Sequence, residues 1–355
     1  MNAGGSSPIR IGVSACLIGQ EVRFDGGHKR DDFLTGTLGK FVGFVPVCPE
    51  VELGLGVPRE SLRLVRGQGG ATRMVANKSG ADLTDAMNAY AERRAAALAR
   101  LDLSGYVLKK DSPSCGMERV RVYGRAGMPA RDGRGLFADA LMRRPPNLPI
   151  EEEGWLNDPG LRDNFIERVF AYHRMRALFA SRWSAGALVA FHTEHKLTLL
   201  AHAPNAYAAL GRLVAAARRS ERAELRERYS ADFMAALKRL ATPARHVNVM
   251  QHIAGYLRDR CDRDSRRELM EVIEEYRRAT VPLTPDSPLG AALRHRLSQG
   301  PDLSRTASAR ADAAQSRRTA APRLGACQPQ SRRSGRRAGT LRAIGAVPRR
   351  SSHEV

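Results

Sequence analysis

Three short apolar runs in the first third of the chain each lead to a cysteine. Ile9-Arg-Ile-Gly-Val-Ser-Ala-Cys16 is one, and Phe41-Val-Gly-Phe-Val-Pro-Val-Cys48 is another. The third runs through Tyr106 to Leu108, then passes Lys109 and Lys110 into a Ser- and Pro-rich turn that ends at Cys115. An apolar run bounded by turn signals reads as a buried strand. Asp82-Leu-Thr-Asp85 offers helix N-caps, and an Ala-, Arg- and Glu-rich helix to about Leu101 follows. Strand, helix, strand in this order predicts a parallel sheet with crossover helices. Ligands of such sheets sit beyond the carboxyl ends of the strands, which is where Cys16, Cys48 and Cys115 fall.

The rest of this half adds a short helix at about 31–38 and strands at 62–65, 73–76 and 120–124. Helices follow at 135–143 and 158–179, the last packed back on the sheet. The α/β domain is expected to span 8–178. From Ser184 the pattern changes. Leu188, Phe191, Leu197 and Leu200 have helical spacing, and further helices fit 204–218, 222–240, 243–258 and 264–279. No strand signal appears there, so 184–285 reads as an all-helical domain. Residues 286–355 are rich in Ala, Arg and Ser without apolar periodicity, and are expected to be a disordered basic tail.

The formal charge of +21 suggests nucleic acid at first sight. Residues 301–355 carry 12 Arg against 3 acids, so +9 of it lies in the tail and +12 in the remaining 300 residues. A nucleic-acid partner is possible but not favoured. No stretch of about 18 apolar residues is present, and the N-terminus lacks the apolar core of a signal peptide. The expected location is cytoplasmic, where five cysteines do not form a disulfide framework. Cys261 and Cys327 read as bystanders.

Spacings of 32 and 67 residues between the three strand-end cysteines match no short metal motif. Their neighbours are more telling: Pro49 and Glu50 after Cys48, Ser112 and Ser114 before Cys115, Asp25 nine residues past Cys16. Three thiolates suit zinc or three corners of an iron–sulfur cluster. A cluster on three ligands leaves one iron free to take a soft sulfur atom, whereas zinc has no reason to prefer sulfur. Asp25 either positions a substrate or caps the Gly26-Gly27 turn. Lys109 and Lys110 either offset an anionic centre or are solvated strand-end charges.

The segments SACLIG, VRFDGGHK, VPVCPEVELGLGVPRE and LKKDSPSCG resemble the thiouracil desulfidase-like domain family, over roughly residues 8–145. The resemblance implies a Rossmann-like fold and a [4Fe-4S] cluster held by Cys16, Cys48 and Cys115. It implies a small thiolated substrate whose sulfur meets the unligated iron, with Glu50 as general base and Ser112 as a second catalytic group. Where relatives carry a Gly-rich loop of Pro-Thr-Pro-Arg type, this chain reads Val51-Glu-Leu-Gly-Leu-Gly-Val-Pro-Arg59. ALVAFHTEHKLTLLAHAPNAYAALGRLV, HVNVMQHIAGY and VIEEYRRATVPL resemble a YbgA-type helical domain, which implies no activity. His192, His195 and His202 fall on about one helical face there. With His246, Asn248, Gln251 and His252 they form a polar groove, a metal site or ordinary core hydrogen bonds.

The function expected is desulfidation of a thiolated nucleobase such as thiouracil, or of a related small thioamide. The alternative is a metal- or cluster-stabilised module that binds RNA or senses redox state without catalysis.

Overall fold

Strand β1 (Arg10–Ser14) lies at the centre of a parallel sheet. It pairs on one side with β2 (Gly43–Val47) and on the other with β5 (Leu103–Leu108), which pairs in turn with β8 (Ile150–Glu152). The computed structural model describes residues 9–124, 128–144, 147–180, 182–256 and 262–280. The tail 286–355, Cys261 and Cys327 lie outside the described residues. All six residues of β5 are buried, as expected of a strand covered on both faces. Ile11, Val13 and Val107 pack on one face with Phe165 and Val169, while Tyr106 and Leu108 belong to the core on the other. Gly12 lies so close to Tyr106 that a Cβ would come within 2.1 Å of its ring.

The crossover between β2 and β5 carries more than a helix. It holds a four-residue helix α1 (Pro49–Glu52), the antiparallel pair β3 (Leu62–Arg66) and β4 (Thr72–Ala76), and helix α2 (Thr84–Ala99). After β5 come β6 (Val120–Tyr123), β7 (Pro129–Gly133) and helix α3 (Leu136–Arg143). Strands β4, β3, β6 and β7 form a second, mixed sheet in that order. The short runs at 62–65, 73–76 and 120–124 are therefore a sheet of their own, completed by a β7 that carries no apolar alternation.

Helix α4 (Pro159–Ala180) joins the two halves. Phe165 and Val169 near its start pack under the parallel sheet. Ala171, Tyr172, Met175 and Phe179 further along belong to a core that also holds Leu188, Phe191, Tyr229 and Phe233. The region beyond is helical, as predicted: α5 (Ala185–Glu194), α6 (Lys196–His202), α7 (Pro204–Ala215), α8 (Arg222–Leu237), α9 (Pro243–Tyr256) and α10 (Arg263–Arg277). The single helix expected over 188–202 is broken at His195, whose Nδ1 meets the Phe191 carbonyl at 2.9 Å. Among the described residues no helix is long and apolar enough to cross a membrane.

The histidines of this half serve the core. His192 meets the Tyr229 hydroxyl at 3.2 Å and stacks on Tyr207, and His246 meets the Tyr276 hydroxyl at 2.7 Å. His252 is exposed. Among the described residues no group of three or more His, Cys, Asp or Glu stands close enough to hold one metal ion. His202 is a tie between elements. Its Nδ1 faces the Arg239 carbonyl after α8, and its Nε2 lies 2.7 Å from Glu167 Oε2 on α4. A neutral imidazole has one N–H, so only the cation donates to both. Burial opposes that charge, but Glu167 and the carbonyl outweigh it, and the His202 pKa is raised. A raised native pKa adds stability that is complete below the unfolded value of about 6.5 and fades as pH climbs through the native value. His202→Gln is therefore expected to lower the melting temperature more at about pH 5.5 than at about pH 9. Thermal unfolding followed by circular dichroism at both pH values checks this, and equal losses would count against the cationic tie.

Candidate functional site

The three strand-end thiols line one cavity of about 360 Å³. Cys16 follows β1 in a short 3-10 turn. Cys48 is the N-cap of α1, directly after β2. Cys115 ends the turn that follows β5. Because β1, β2 and β5 run parallel and in close register, their ends emerge together. Glu50, Arg59, Lys109, Lys110, Ser14, Ser112 and Ser114 line the same cavity.

The turn carrying Cys115 is locked to α3. The Pro113 carbonyl accepts from Leu136 N, and the Ser114 carbonyl accepts from both Phe137 N and Ala138 N. These are amides that a helix N-terminus otherwise leaves unpaired. Ser112 Oγ accepts from Cys115 N at 3.1 Å and Ser114 N at 3.3 Å. Gly135 allows the approach: a Cβ there would lie 2.5 Å from the Ser114 carbonyl carbon and oxygen.

Glu50 is held at both oxygens. Arg59 donates to Oε2 from Nε at 2.9 Å and Nη2 at 2.6 Å, and both side chains are largely buried. The other Arg59 nitrogen, Nη1, donates to the carbonyls of Val22 and Gly56. Oε1 accepts from Ser114 Oγ at 2.5 Å. With that proton committed to Glu50, the 3.1 Å contact between the two hydroxyls runs from Ser112 to Ser114. Ser112, Ser114 and Glu50 thus form one directed hydrogen-bond chain. In the sequence Ser114 is one of the hydroxyls beside Cys115, and its link to Glu50 is not encoded there.

Asp25 is placed differently. It is absent from the cavity lining. Its carboxylate accepts from Gly27 N at 3.1 Å and lies 3.5 Å from Arg23 Nε, which lowers its pKa. In the structure Asp25 caps the Gly26-Gly27 turn.

Burial works against ionising all three thiols. Cys16 is pushed up to about 11, Cys48 is raised although the Val51 and Glu50 amides favour its charge, and Cys115 is raised furthest. A thiolate here needs a strong positive partner, and metal binding supplies one by displacing the protons. Three soft sulfur donors line this cavity, a donor set whose chemistry suits zinc or three corners of an iron–sulfur cluster. Fold and site together define an α/β protein with a three-thiol, acid-bearing cavity beyond its parallel strand ends, continued by a helical bundle.

The comparisons agree with that class. A family model described as 2-thiouracil desulfurase matches residues 11–153, and one described as "Protein of unknown function (DUF1722)" matches residues 196–299. The chain belongs to the 2-thiouracil desulfurase family in its N-terminal half, joined to a C-terminal DUF1722 region of the YbgA type. It is 33% identical over 122 residues to "Uncharacterized protein YbgA" of Escherichia coli (strain K12), covering 34% of this chain and 72% of that protein. It is 32% identical over 108 residues to "Uncharacterized protein YbbK" of Bacillus subtilis (strain 168), covering 29% of this chain and 71% of that protein. A solved structure described as a [4Fe-4S]-dependent thiouracil desulfidase, TudS, is 32% identical, with 45% of this chain and 99% of that chain covered and a TM-score of 0.36.

The lock between Gly135 and the Cys115 turn yields a direct test. Gly135→Ala is expected to destabilise the protein by about 1–3 kcal/mol, the usual range for overpacking. Chemical denaturation measures it, and a loss below about 0.5 kcal/mol, the scale of a neutral surface change, would show that the turn gives way freely.

Proposed function

We propose that the protein is an iron–sulfur-dependent desulfidase acting on a small thiocarbonyl compound such as a thiolated pyrimidine. The observation that carries this reading is the meeting of three thiols with the Ser112–Ser114–Glu50 chain in one cavity. Cys16, Cys48 and Cys115 would hold a [4Fe-4S] cluster. When bound, that cluster supplies a Lewis-acidic iron with affinity for sulfur.

The overall exchange is C=S plus H₂O giving C=O plus H₂S. The attacking water must lose its protons, and the sulfur leaves with two. Glu50 Oε2 is committed to Arg59, so Oε1 is the oxygen that takes a proton. It receives one through Ser114, and Ser112 extends that route toward the substrate side of the cavity. Arg59 holds the carboxylate in one orientation, so it need not reorganise during the reaction. Ser112 also fixes the backbone of Cys115, which couples proton route and ligand position. Asp25 has no part in this scheme.

Protein purified and reconstituted without oxygen is expected to be brown, to hold roughly four iron and four sulfide per chain, and to convert thiouracil to uracil. Glu50→Gln is expected to keep the iron and lose about 10²–10⁴-fold in kcat, the range for general acid–base groups. Cys48→Ala is expected to lose the colour. A colourless protein with one zinc per chain would overturn the reading.

A second reading, in which the thiolated base is carried on RNA, has one observation in its favour. On β6 and β7, Arg121 stands directly opposite Arg131. On β3, Arg63 precedes Leu64, which pairs with Val122. Three arginines therefore cross the outer face of the second sheet in a row, beside Tyr123, whose ring lies 5.7 Å under Arg63. Like charges set opposite each other are unfavourable; Asp111, 3.2 Å from Arg131, answers one of them and leaves Arg63 and Arg121 on the cavity. Arg63, Arg121 and Tyr123 line a second cavity, of about 250 Å³, that shares Leu62, Asp111 and Pro113 with the first. If phosphates lie there, replacing Arg63 and Arg121 by Gln lowers RNA affinity and flattens its salt dependence by roughly one unit of slope per lost contact. Turnover of the free base stays unchanged. Unaltered RNA binding would leave the free-base reading alone.

A further inference from the structure

We propose that Lys109, held in place by Glu153, is the cation that balances negative charge at the three-thiol site, and that the two side chains pull the reduction potential of its cluster in opposite directions. This rests on the cluster reading above.

Lys109 follows β5 directly and lines the cavity with Cys16, Cys48 and Cys115. Its backbone N–H donates to Ser14 Oγ at 3.0 Å, which ties it to the end of β1. Its ammonium group pairs with Glu153 Oε1 and donates to the Lys110 carbonyl at 3.1 Å. The Lys109 and Glu153 side chains are only 15% and 10% exposed. Glu153 is fixed from its own side: Oε2 accepts from Lys110 N at 2.7 Å, and its backbone N–H donates to the Leu108 carbonyl at 3.1 Å. The pair is built into the strand ends of β5 and β8 and is not a mobile surface contact.

Lys109 shares the cavity lining with Arg23, Lys29, Arg59 and Lys110. Arg59 is committed to Glu50. Arg23 lies beside Asp25. Lys29 and Lys110 are exposed, the latter lying over Gly154. A partly desolvated charge at short range is weakly screened, so its field reaches the site nearly intact.

Three thiolates make any cluster they hold anionic, and an added electron or an arriving anionic sulfur makes it more so. A nearby ammonium lowers the energy of the more negative state and raises the reduction potential. A carboxylate does the reverse. Glu153 then has two effects: it keeps Lys109 in place, and it subtracts part of its field.

The test uses the full-length protein, reconstituted without oxygen. Redox titration followed by electron paramagnetic resonance gives the midpoint potential. Lys109→Met is expected to move it negative, Glu153→Gln positive, and the double variant between the two. Lys109→Arg, which keeps the charge, is expected to stay close to the unsubstituted protein. A merely structural role moves both single variants in the same direction or not at all, and either result overturns the inference. If Lys109→Met holds no cluster, Glu153→Gln decides: a positive shift supports the inference, and no shift or a negative one overturns it. Unsubstituted protein that takes up no iron and sulfide overturns the cluster reading and this inference together, whereas a normal cluster with unmoved potentials overturns this inference alone.

Discussion

Parallel pairing of β1 with β2 and β5 is the constraint on which the site depends. Three segments far apart in sequence end side by side because their strands start side by side and have similar lengths. A slip of one residue in β5 would exchange its two faces, turning Tyr106 toward Val169 and Val107 toward Phe137. Gly12 blocks that slip in practical terms, since only a residue without a Cβ accepts the Tyr106 ring at this distance. The register that packs the core is therefore the register that aligns the cysteines.

Alignment creates an electrostatic problem, which the surrounding charges answer in pairs. Glu50 is buried with Arg59, Glu153 with Lys109, and Glu151 with Arg168. Removing one member of such a pair leaves an isolated buried charge and typically costs about 3–5 kcal/mol. The three thiols are not themselves members of such an ion pair, and burial raises the pKa of each.

Much of this was legible in the sequence because buried strands are written in apolar residues. β1, β2 and β5 and their cysteines could be read in this way, as could the crossover helix and the helical half. β7 could not: Pro129-Ala-Arg-Asp-Gly133 is polar and exposed until its last residue, and it exists as a strand because β6 offers it an edge. β8 is three residues long, two of them glutamates, and is held by pairing to β5 rather than by propensity. The break at His195 was hidden because the apolar spacing continues on both sides of it. The role of Ser114 was hidden for a related reason, since its partner Glu50 is 64 residues away and no local pattern encodes the contact. Asp25 stood out by proximity in sequence to Cys16, and proximity in sequence is what a turn can undo.

The helical half is bound to the site through α4. That helix presents Phe165 and Val169 to the sheet, then Tyr172, Met175 and Phe179 to the bundle, so one rigid element belongs to both cores. Asn164 donates to the Leu237 carbonyl at the end of α8, and the His202 cation faces Glu167 and the Arg239 carbonyl one turn further on. Arg168, on the same stretch of α4, holds Glu151 of β8. Glu151 is followed by Glu152, which accepts from Met117 N just past the Cys115 turn, and then by Glu153 beside Lys109. A force on the bundle therefore meets, between Asn164 and Arg168 of α4 and between Glu151 and Glu153 at the end of β8, groups that brace the cavity. With the contacts of His173 to Ser104 and of Arg176 to the Leu103 carbonyl, that stretch ties the helical half to the strands whose ends carry the cavity.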